Sequence, residues 1–242
     1  MKDRIVTAAV LVALGLGVGG GLMGYGFKAG RTADRFVTVK GLSEREVEAD
    51  LALWPLQLVA AGNDLSRTQE RMDEMVGLTR TFLREHGIPD ESVSVQAFKV
   101  TDAQANPYQG GNAVYRFIIT QTLMVRSEEP RTLRSASQDV GQLVQAGVVL
   151  TSGQEYGPGG PTYLFTRLND LKPEMLAEAT ARARESAEEF ADASGSSVGK
   201  IRRAHQGVFQ ILPRDPARGQ QEQNQLFKTI RVVSTLEYLL EG

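Results

Sequence analysis

The stretch FVTVKGLSEREVEADLALWPLQL, residues 36–58, contains two runs of alternating apolar side chains joined by an acidic connector. The alternation predicts one strand from Phe36 to Lys40 that ends at Gly41, and a second strand from Leu51 to Ala60. Pro55 has no backbone N–H, so we expect the second strand to lie at a sheet edge or to carry a bulge. No nucleophile, metal-ligand set or phosphate-binding loop lies beside these strands in the sequence, which favours an architectural role.

Helices and strands alternate irregularly along the rest of the chain. Helices are predicted from residue 63 or 64 to 86, from 127 or 129 to 147, and from 171 to 194; further strands are predicted at 92–100, 114–126, 148–150, 163–165, 200–211 and 227–240. Hairpins recur between the helices. This order indicates an α+β fold with a mixed, mainly antiparallel sheet or sheets and helices packed on one face.

The first residues predict a membrane-spanning helix ahead of this domain. Residues 5–27 contain no charge, and 23 residues at about 1.5 Å each reach roughly 35 Å, enough for a hydrocarbon core of about 30 Å. We therefore expect a tail at 1–4, a transmembrane signal-anchor at 5–27, a linker at 28–35 and one domain at 36–241. The alternative is a cleaved secretory signal.

The lengths of the tail and the domain predict the orientation of the chain in the membrane, and its net charge bears on its partners. A short tail before a large domain is typical of a signal-anchor, which predicts a single pass through the inner membrane with the domain on the periplasmic, extracytoplasmic side. The whole chain has 27 basic and 29 acidic residues and a net charge of −2. This charge gives no positive electrostatic field that would attract nucleic acid. The absence of cysteine is compatible with an oxidising compartment.

Small residues recur at every fourth position inside the predicted span. Ala9, Ala13, Gly17 and Gly21 would share one helix face, where small side chains let helices approach closely in lipid. Such a face predicts helix–helix packing and a homo-oligomer. The alternative is that glycine is simply frequent in membrane segments.

A search for chemistry finds no catalytic motif, no cofactor site and no metal-ligand spacing. The two histidines are far apart: His86 ends a predicted helix, and His205 lies inside a predicted strand. Asp50 precedes the second strand, where we expect its carboxylate to accept hydrogen bonds from backbone donors of a turn. The sequence therefore predicts a protein that is not an enzyme and carries no cofactor.

Three tyrosines lie in or beside glycine- and proline-rich loops. Tyr108, Tyr156 and Tyr163 are candidates for contact with a partner, because loop aromatics anchor protein interfaces. They can equally pack their own loops down.

Several spaced blocks resemble the SIMPL-domain family of bacterial envelope proteins. The opening block VTVKGLSEREVEADLALWPLQLV matches at Val39, Gly41, Asp50 and Ala52, which are structural positions of the motif. Further matches are HGIPDESVSVQAFKV, YRFIITQTLMVRS, AGVVLTSG, ARARESAEEFADASGSSVGKIRRA and KTIRVVSTLEYLL, so the resemblance covers about residues 36–241. It implies an extracytoplasmic domain with no catalytic residues; some relatives form large rings, and some are linked to oxidative-stress tolerance or immunogenicity.

The leading hypothesis is a membrane-anchored domain that acts by self-assembly or by contact with an envelope protein, with a role in envelope stress tolerance. Exposed strand edges and the loops at 102–113 and 153–162 would supply the contacts. The alternatives are a carrier of a small apolar ligand and, ranked last, an envelope enzyme with an unrecognised site.

Overall fold

The computed structural model describes residues 13–24, 35–105, 114–151 and 160–241. Its helices are α1 (13–24), α2 (Leu65–Glu85), α3 (Pro130–Gln138), α4 (Gly141–Gln145) and α5 (Leu168–Ala193), with short 3₁₀ turns at Asp90–Ser92 and Glu222–Asn224. Its strands are β1 (Phe36–Glu48), β2 (Leu51–Gly62), β3 (Val93–Asp102), β4 (Phe117–Ser127), β5 (Leu150–Thr151), β6 (Thr162–Leu164), β7 (Ser197–Gln206), β8 (Gln210–Pro213) and β9 (Phe227–Glu241).

The chain divides into two compact units. The first unit comprises Met1–Glu44, Lys172–Gln210 and Arg231–Gly242, and the second comprises Arg45–Leu171 and Ile211–Ile230. Each unit has its own cluster of buried apolar side chains. The predicted α+β class with antiparallel sheets and helices is confirmed.

The predicted membrane span lies only partly within the described residues. Residues 13–24 are helical and form α1. Across the part of the chain that the structure describes, no helix has both the length and the apolar character needed to cross a membrane.

The second unit is built on a five-stranded sheet. Its strand order is β3-β4-β2-β5, and β6 pairs with β2 beyond the end of β5. Alternate residues of β2 are buried and pack against side chains of α2, α3 and α4, as the period-two pattern of that strand predicts. The core side chains of β2 are Ala52, Trp54, Leu56, Leu58 and Ala60, and the helices contribute Met72, Met75, Phe82, Leu83, Leu133, Ala136 and Leu143.

Helix α2 begins and ends at the signals that the sequence contains. Asp64 is the N-cap, and its carboxylate accepts a 2.9 Å hydrogen bond from the backbone N–H of Arg67. Gly87 adopts a positive φ of 78°, and the N–H of Ile88 donates back to the carbonyl of Leu83 at 2.9 Å. Ile88 is buried, which completes a Schellman-type stop.

The expectation that the strand with Pro55 lies at an edge or carries a bulge is wrong. Strand β2 is interior, and its register with β4 runs without a bulge through the Pro55–Met124 pair. The N–H of Val59 donates to Val149 on the β5 side, so by alternation Pro55 faces that side too. There it falls between the residues that pair with β6, Leu51–Leu53, and those that pair with β5, Gln57–Leu58. No described residue pairs with Pro55 on that side, so its missing donor breaks no ladder hydrogen bond within the described part of the chain.

The first unit is built on a sheet with the order β1-β9-β7, in which β8 also pairs with β9. Helix α5 packs on one face of it through a stripe of small buried side chains, Ala179, Ala183, Ala187 and Ala191, with Met175. The spacing of apolar residues in this helix predicts Leu176 and Phe190 beside the alanines in the core, but Leu176 is half-buried and Phe190 is exposed. The alanines are buried in their place because β1 and the helix approach closely.

Three predicted boundaries are also wrong. Strand β1 does not end at Gly41 but continues to Glu48. The helix predicted to end near Gly147 is broken at Asp139–Val140 into α3 and α4. The strand predicted over 200–211 divides at Gly207, whose N–H donates to the carbonyl of Val233 and whose Cβ position would lie 2.3 Å from that oxygen.

Candidate functional site

Strand β3 of the second unit exposes three large apolar side chains. It pairs with β4 on one side, and no other strand among the described residues pairs with its second edge. Val95, Phe98 and Val100 expose 53%, 51% and 45% of their surface. An edge strand with apolar side chains and unpaired backbone groups is a template for pairing with another chain.

The register shows why these side chains are uncovered. Phe98 lies opposite Gln121 and Val100 opposite Ile119, and β4 in turn pairs these positions with Leu58 and Ala60 of the core. Phe98 and Val100 therefore lie on the sheet face that the helices cover. Because both side chains are about half exposed, the helix layer ends before it reaches β3.

Two features limit how another chain can pair with β3. The register shifts between Val95 and Ala97, which marks a β-bulge, and Lys99 lies in the middle of the strand. Bulges and lysines are devices by which natural sheet edges avoid indiscriminate association. The regular part of the edge is thus Phe98–Asp102.

The end of β3 is held by an ion pair across the hairpin. The guanidinium of Arg116 donates from Nη2 to Asp102 Oδ2 at 3.1 Å and from Nε to both carboxylate oxygens at 3.3 Å. The N–H of Ala103 donates to the carbonyl of Arg116 at 2.8 Å. The hydrogen bond from Arg116 holds the pKa of the Asp102 carboxyl below its usual value. This contact fixes the geometry of the exposed edge up to Asp102.

Asp50 accepts hydrogen bonds, as predicted, but from a segment far away in sequence. Its carboxylate receives the N–H of Thr166 at 2.8 Å, the Thr166 hydroxyl at 3.0 Å, and the N–H and Nε of Arg167 at 3.2 and 3.1 Å. Burial alone raises the pKa of this carboxyl, but the bonds from Thr166 and Arg167 outweigh it and lower the pKa. A carboxylate with this many donors is an anchor for the start of α5, and is a poor general base.

The other residues of the family motif, Val39, Gly41 and Ala52, lie where they pack against the rest of the fold. A Cβ at Gly41 would lie 1.8 Å from the carbonyl oxygen of Ala179, so the position admits only glycine. Val39 packs against the core of the first unit, and Ala52 is wholly buried in the core of the second. These positions shape the fold, and none of them is arranged for chemistry.

Of the three tyrosines predicted as candidates for partner contact, Tyr163 lies within the described residues. Tyr163 lies in β6 with only 5% of its surface exposed, and burial raises the pKa of its hydroxyl. Tyr163 packs into the core of the second unit within β6, close to the strand predicted at 163–165. Tyr108 and Tyr156 lie outside the described residues.

The small-residue face of the first helix is only partly described. Ala13, Gly17 and Gly21 lie four residues apart in α1, and Ala9 lies outside the described residues. At Gly17 and Gly21 a Cβ would meet no described atom within 4 Å. That face contacts nothing in the described part of the chain.

The histidines occupy the separate positions that the sequence indicates. His86 ends α2, with Nδ1 at 2.8 Å from the carbonyl oxygen of Phe82 and Nε2 at 3.2 Å from Asp139 Oδ2. His205 is exposed on β7. Within the described ranges no three His, Asp or Glu side chains are grouped to hold a metal ion.

The comparison with protein families agrees with the blocks quoted above. The family model of SIMPL, described as a protein of unknown function (DUF541), matches residues 37–233. The chain belongs to the SIMPL family. The SIMPL match includes Gly41 and Asp50 and extends through β3 into β9, so it takes in both units. No curated protein matches the chain.

Sequence reasoning missed the exposure of β3 in the SIMPL domain. Alternation identifies a strand but does not give its place in the sheet. The available signal was the run SVQAFKV, in which both faces carry apolar side chains beside a lysine.

Proposed function

We propose that this SIMPL protein is a membrane-anchored extracytoplasmic protein that acts by self-assembly, with the free edge of β3 as the contact between copies. The observation that carries the proposal is a ten-residue edge strand whose Val95, Phe98 and Val100 are about half exposed. Addition of a strand to such an edge pairs its backbone groups and covers these side chains together.

The free energies of burial and of association favour assembly at a membrane over assembly in dilute solution. Covering the exposed halves of three apolar side chains contributes on the order of 3 kcal/mol. Association costs about 4–15 kcal/mol in lost freedom, so one β3 contact alone is weak. Confinement of two copies to one bilayer raises their effective concentration, and a packed transmembrane helix would add a second contact.

The anchor in this proposal is the uncharged segment 5–27, inserted in the inner membrane with residues 36–241 on the periplasmic side. The physiological role that we propose is envelope stress tolerance, which rests on the family resemblance. An envelope protein that adds its own strand to β3 is the alternative partner.

Light scattering coupled to size exclusion tests the contact on the full-length chain in mild detergent. We expect a species of at least two copies that Phe98→Glu converts to one copy, because a carboxylate cannot be covered at the edge without a partner. Val208→Glu is the control, since Val208 is 84% exposed and lies between β7 and β8 in the first unit. A single copy at all concentrations, or an unchanged mass for Phe98→Glu, contradicts the proposal.

A second candidate function is carriage of a small apolar ligand, favoured by a hollow of about 190 Å³ in the second unit. Tyr163, Leu226 and Phe227 form its apolar part, and the guanidinium of Arg214 lies 4.8 Å from the Phe227 ring centre. The other lining residues are polar or charged: Arg134, Arg214, Asp215, Asn224 and Gln225. This volume suits only a small molecule. A rise in melting temperature with small aromatic compounds, abolished by Leu226→Arg, would support carriage; no rise with any of them would exclude it.

A further inference from the structure

Strand β7 of the first unit is basic, and most of its residues are exposed. Residues 200–206 are all exposed, and β7 carries Lys200, Arg202 and Arg203 with no acidic residue. Among the described strands it pairs with β9 alone, so it is an edge of its sheet.

The register places most of this charge on the face of the sheet that α5 does not cover. Arg203 pairs with Glu237 and His205 with Thr235, and these β9 residues alternate with Leu236, which is buried against α5. Arg203 and His205 therefore lie on the opposite face. The register shift between Ile201 and Arg203 brings Arg202 to that face as well. There the guanidinium of Arg202 lies 4.4 Å from the ring centre of Phe36.

Charge is divided between the two sides of this sheet. Residues 182–192 of α5 carry four exposed acidic residues, Glu185, Glu188, Glu189 and Asp192, and two exposed arginines, Arg182 and Arg184. On the uncovered face Lys40, on the same side of β1 as Phe36, adds to the arginines. The acidic groups there only partly offset them: Glu237 is 4.0 Å from Arg203, Glu44 is 3.4 Å from Arg231, and Glu241 lies on the same side of β9 as Glu237. We call Phe36, Lys40, Arg202 and Arg203 the basic face.

The chain enters the domain beside this basic face. The carbonyl of Arg35 accepts a 2.9 Å hydrogen bond from the N–H of Leu240, and Arg35 Nη2 donates to the Ser196 hydroxyl at 3.2 Å. The start of β1 is thus fixed next to the start of β7. A linker of residues 28–35 spans at most about 28 Å, so an anchor at 5–27 holds the start of β1 close to the bilayer surface.

We propose that the basic face binds the anionic headgroups of the bilayer that holds the anchor, an inference that rests on the anchoring in the proposed function. Arginines bind lipid phosphates through paired N–H groups, and an aromatic ring such as Phe36 suits the interface. The partner is a negatively charged membrane surface, because several separated cations on a flat sheet match a field of headgroups better than one small ion. Docking would fix the orientation of the domain above the membrane.

The cysteine-free chain allows a direct test. Full-length protein with His205→Cys, labelled with a fluorophore, is incorporated into vesicles of phosphatidylcholine alone or with one third phosphatidylglycerol, each with a trace of headgroup-linked quencher. We expect stronger quenching with the anionic lipid, and loss of that difference in 0.5 M salt because exposed charges are screened. Arg202→Gln with Arg203→Gln should weaken the response about fivefold per arginine. Arg182→Gln with Arg184→Gln, on exposed α5 positions, is the matched control.

The outcomes separate the two proposals. Flotation of the full-length protein together with neutral vesicles supports the anchor. Flotation of the protein with anionic vesicles but not with neutral ones supports the basic face and contradicts the anchor. Equal quenching with both lipids, or equal effects of the two arginine pairs, overturns the basic-face proposal. So does full suppression of the anionic-lipid response by 10 mM inorganic phosphate, which would identify a site for a single small anion.

Discussion

Helix α5 lies so close to β1 that a Cβ at Gly41 would stand 1.8 Å from the carbonyl oxygen of Ala179. The nitrogen of Ala183 would be 2.5 Å away. Both are backbone atoms, so the contact can be relieved only by moving the helix. The close approach of α5 to β1 therefore requires both the small side chains of α5 and the glycine of β1.

Gly41→Ala should destabilise the protein by about 2–4 kcal/mol, because overpacking against a rigid backbone forces a shift of the helix. Urea unfolding followed by circular dichroism measures the change. Gly77→Ala in α2 is the control: a Cβ there meets nothing within 4 Å, and alanine should stabilise the helix by about 0.5–1 kcal/mol. Equal stability of Gly41→Ala and wild type would contradict the close contact.

Asp50→Asn should lower the free energy of unfolding at pH 7 by about 1–3 kcal/mol, because the amide cannot accept all the hydrogen bonds from Thr166 and Arg167. The pKa of Asp50 is lowered in the folded protein, so its stabilisation is present above the unfolded pKa of about 3.9 and is lost as the pH falls through the folded pKa. The difference between wild type and Asp50→Asn should therefore shrink below about pH 4. Unfolding titrations between pH 2.5 and 7 measure this; a constant difference would count against the anchoring role.

Glu222→Gln should destabilise the second unit by about 1–3 kcal/mol. The Lys228 ammonium is completely buried and is paired with the Glu222 carboxylate, and its Nζ also donates to the Glu222 carbonyl at 2.9 Å. Removal of the carboxylate leaves a buried charge without its counter-ion, although partial exposure of Glu222 moderates the cost. Lys228→Met should be close to neutral, since it removes the charge. Thermal unfolding of both variants checks this, and a larger loss for Lys228→Met would reverse the argument.

Much of the fold was predictable because local signals agreed with tertiary packing. The cap at Asp64, the stop at Gly87 and the alternation of β2 lie where the sequence indicates them. Local sequence signals do not predict the structure where contact with a distant segment determines it. Gly41 was interpreted as a strand end because glycine is a common breaker, but its role is set by α5, about 140 residues later in the chain. Pro55 fits an interior strand because none of the described residues of β5 and β6 pairs with it.

The candidate site is harder to predict from the sequence than the fold. Asp50 was expected to bond its own turn, and its donors come instead from Thr166 and Arg167, a pairing that no local pattern contains. The exposure of Phe98 depends on where the helix layer ends, which is a property of packing and not of periodicity. Tyr163 is buried because the residues after a glycine-rich loop form a short core strand.

Single cysteines on β3 test the central claim most directly, because the chain has none of its own and any disulfide must join two copies. Val95→Cys, Phe98→Cys and Val100→Cys, each in the full-length protein in vesicles, are oxidised and separated without reductant. Val208→Cys is the control, because Val208 is more exposed than any of the three and lies in the first unit. Self-assembly through the β3 edge predicts a dimer band for at least one of the three variants, well above the control. Monomer bands for all three, or dimer yields no higher than for Val208→Cys, would contradict it.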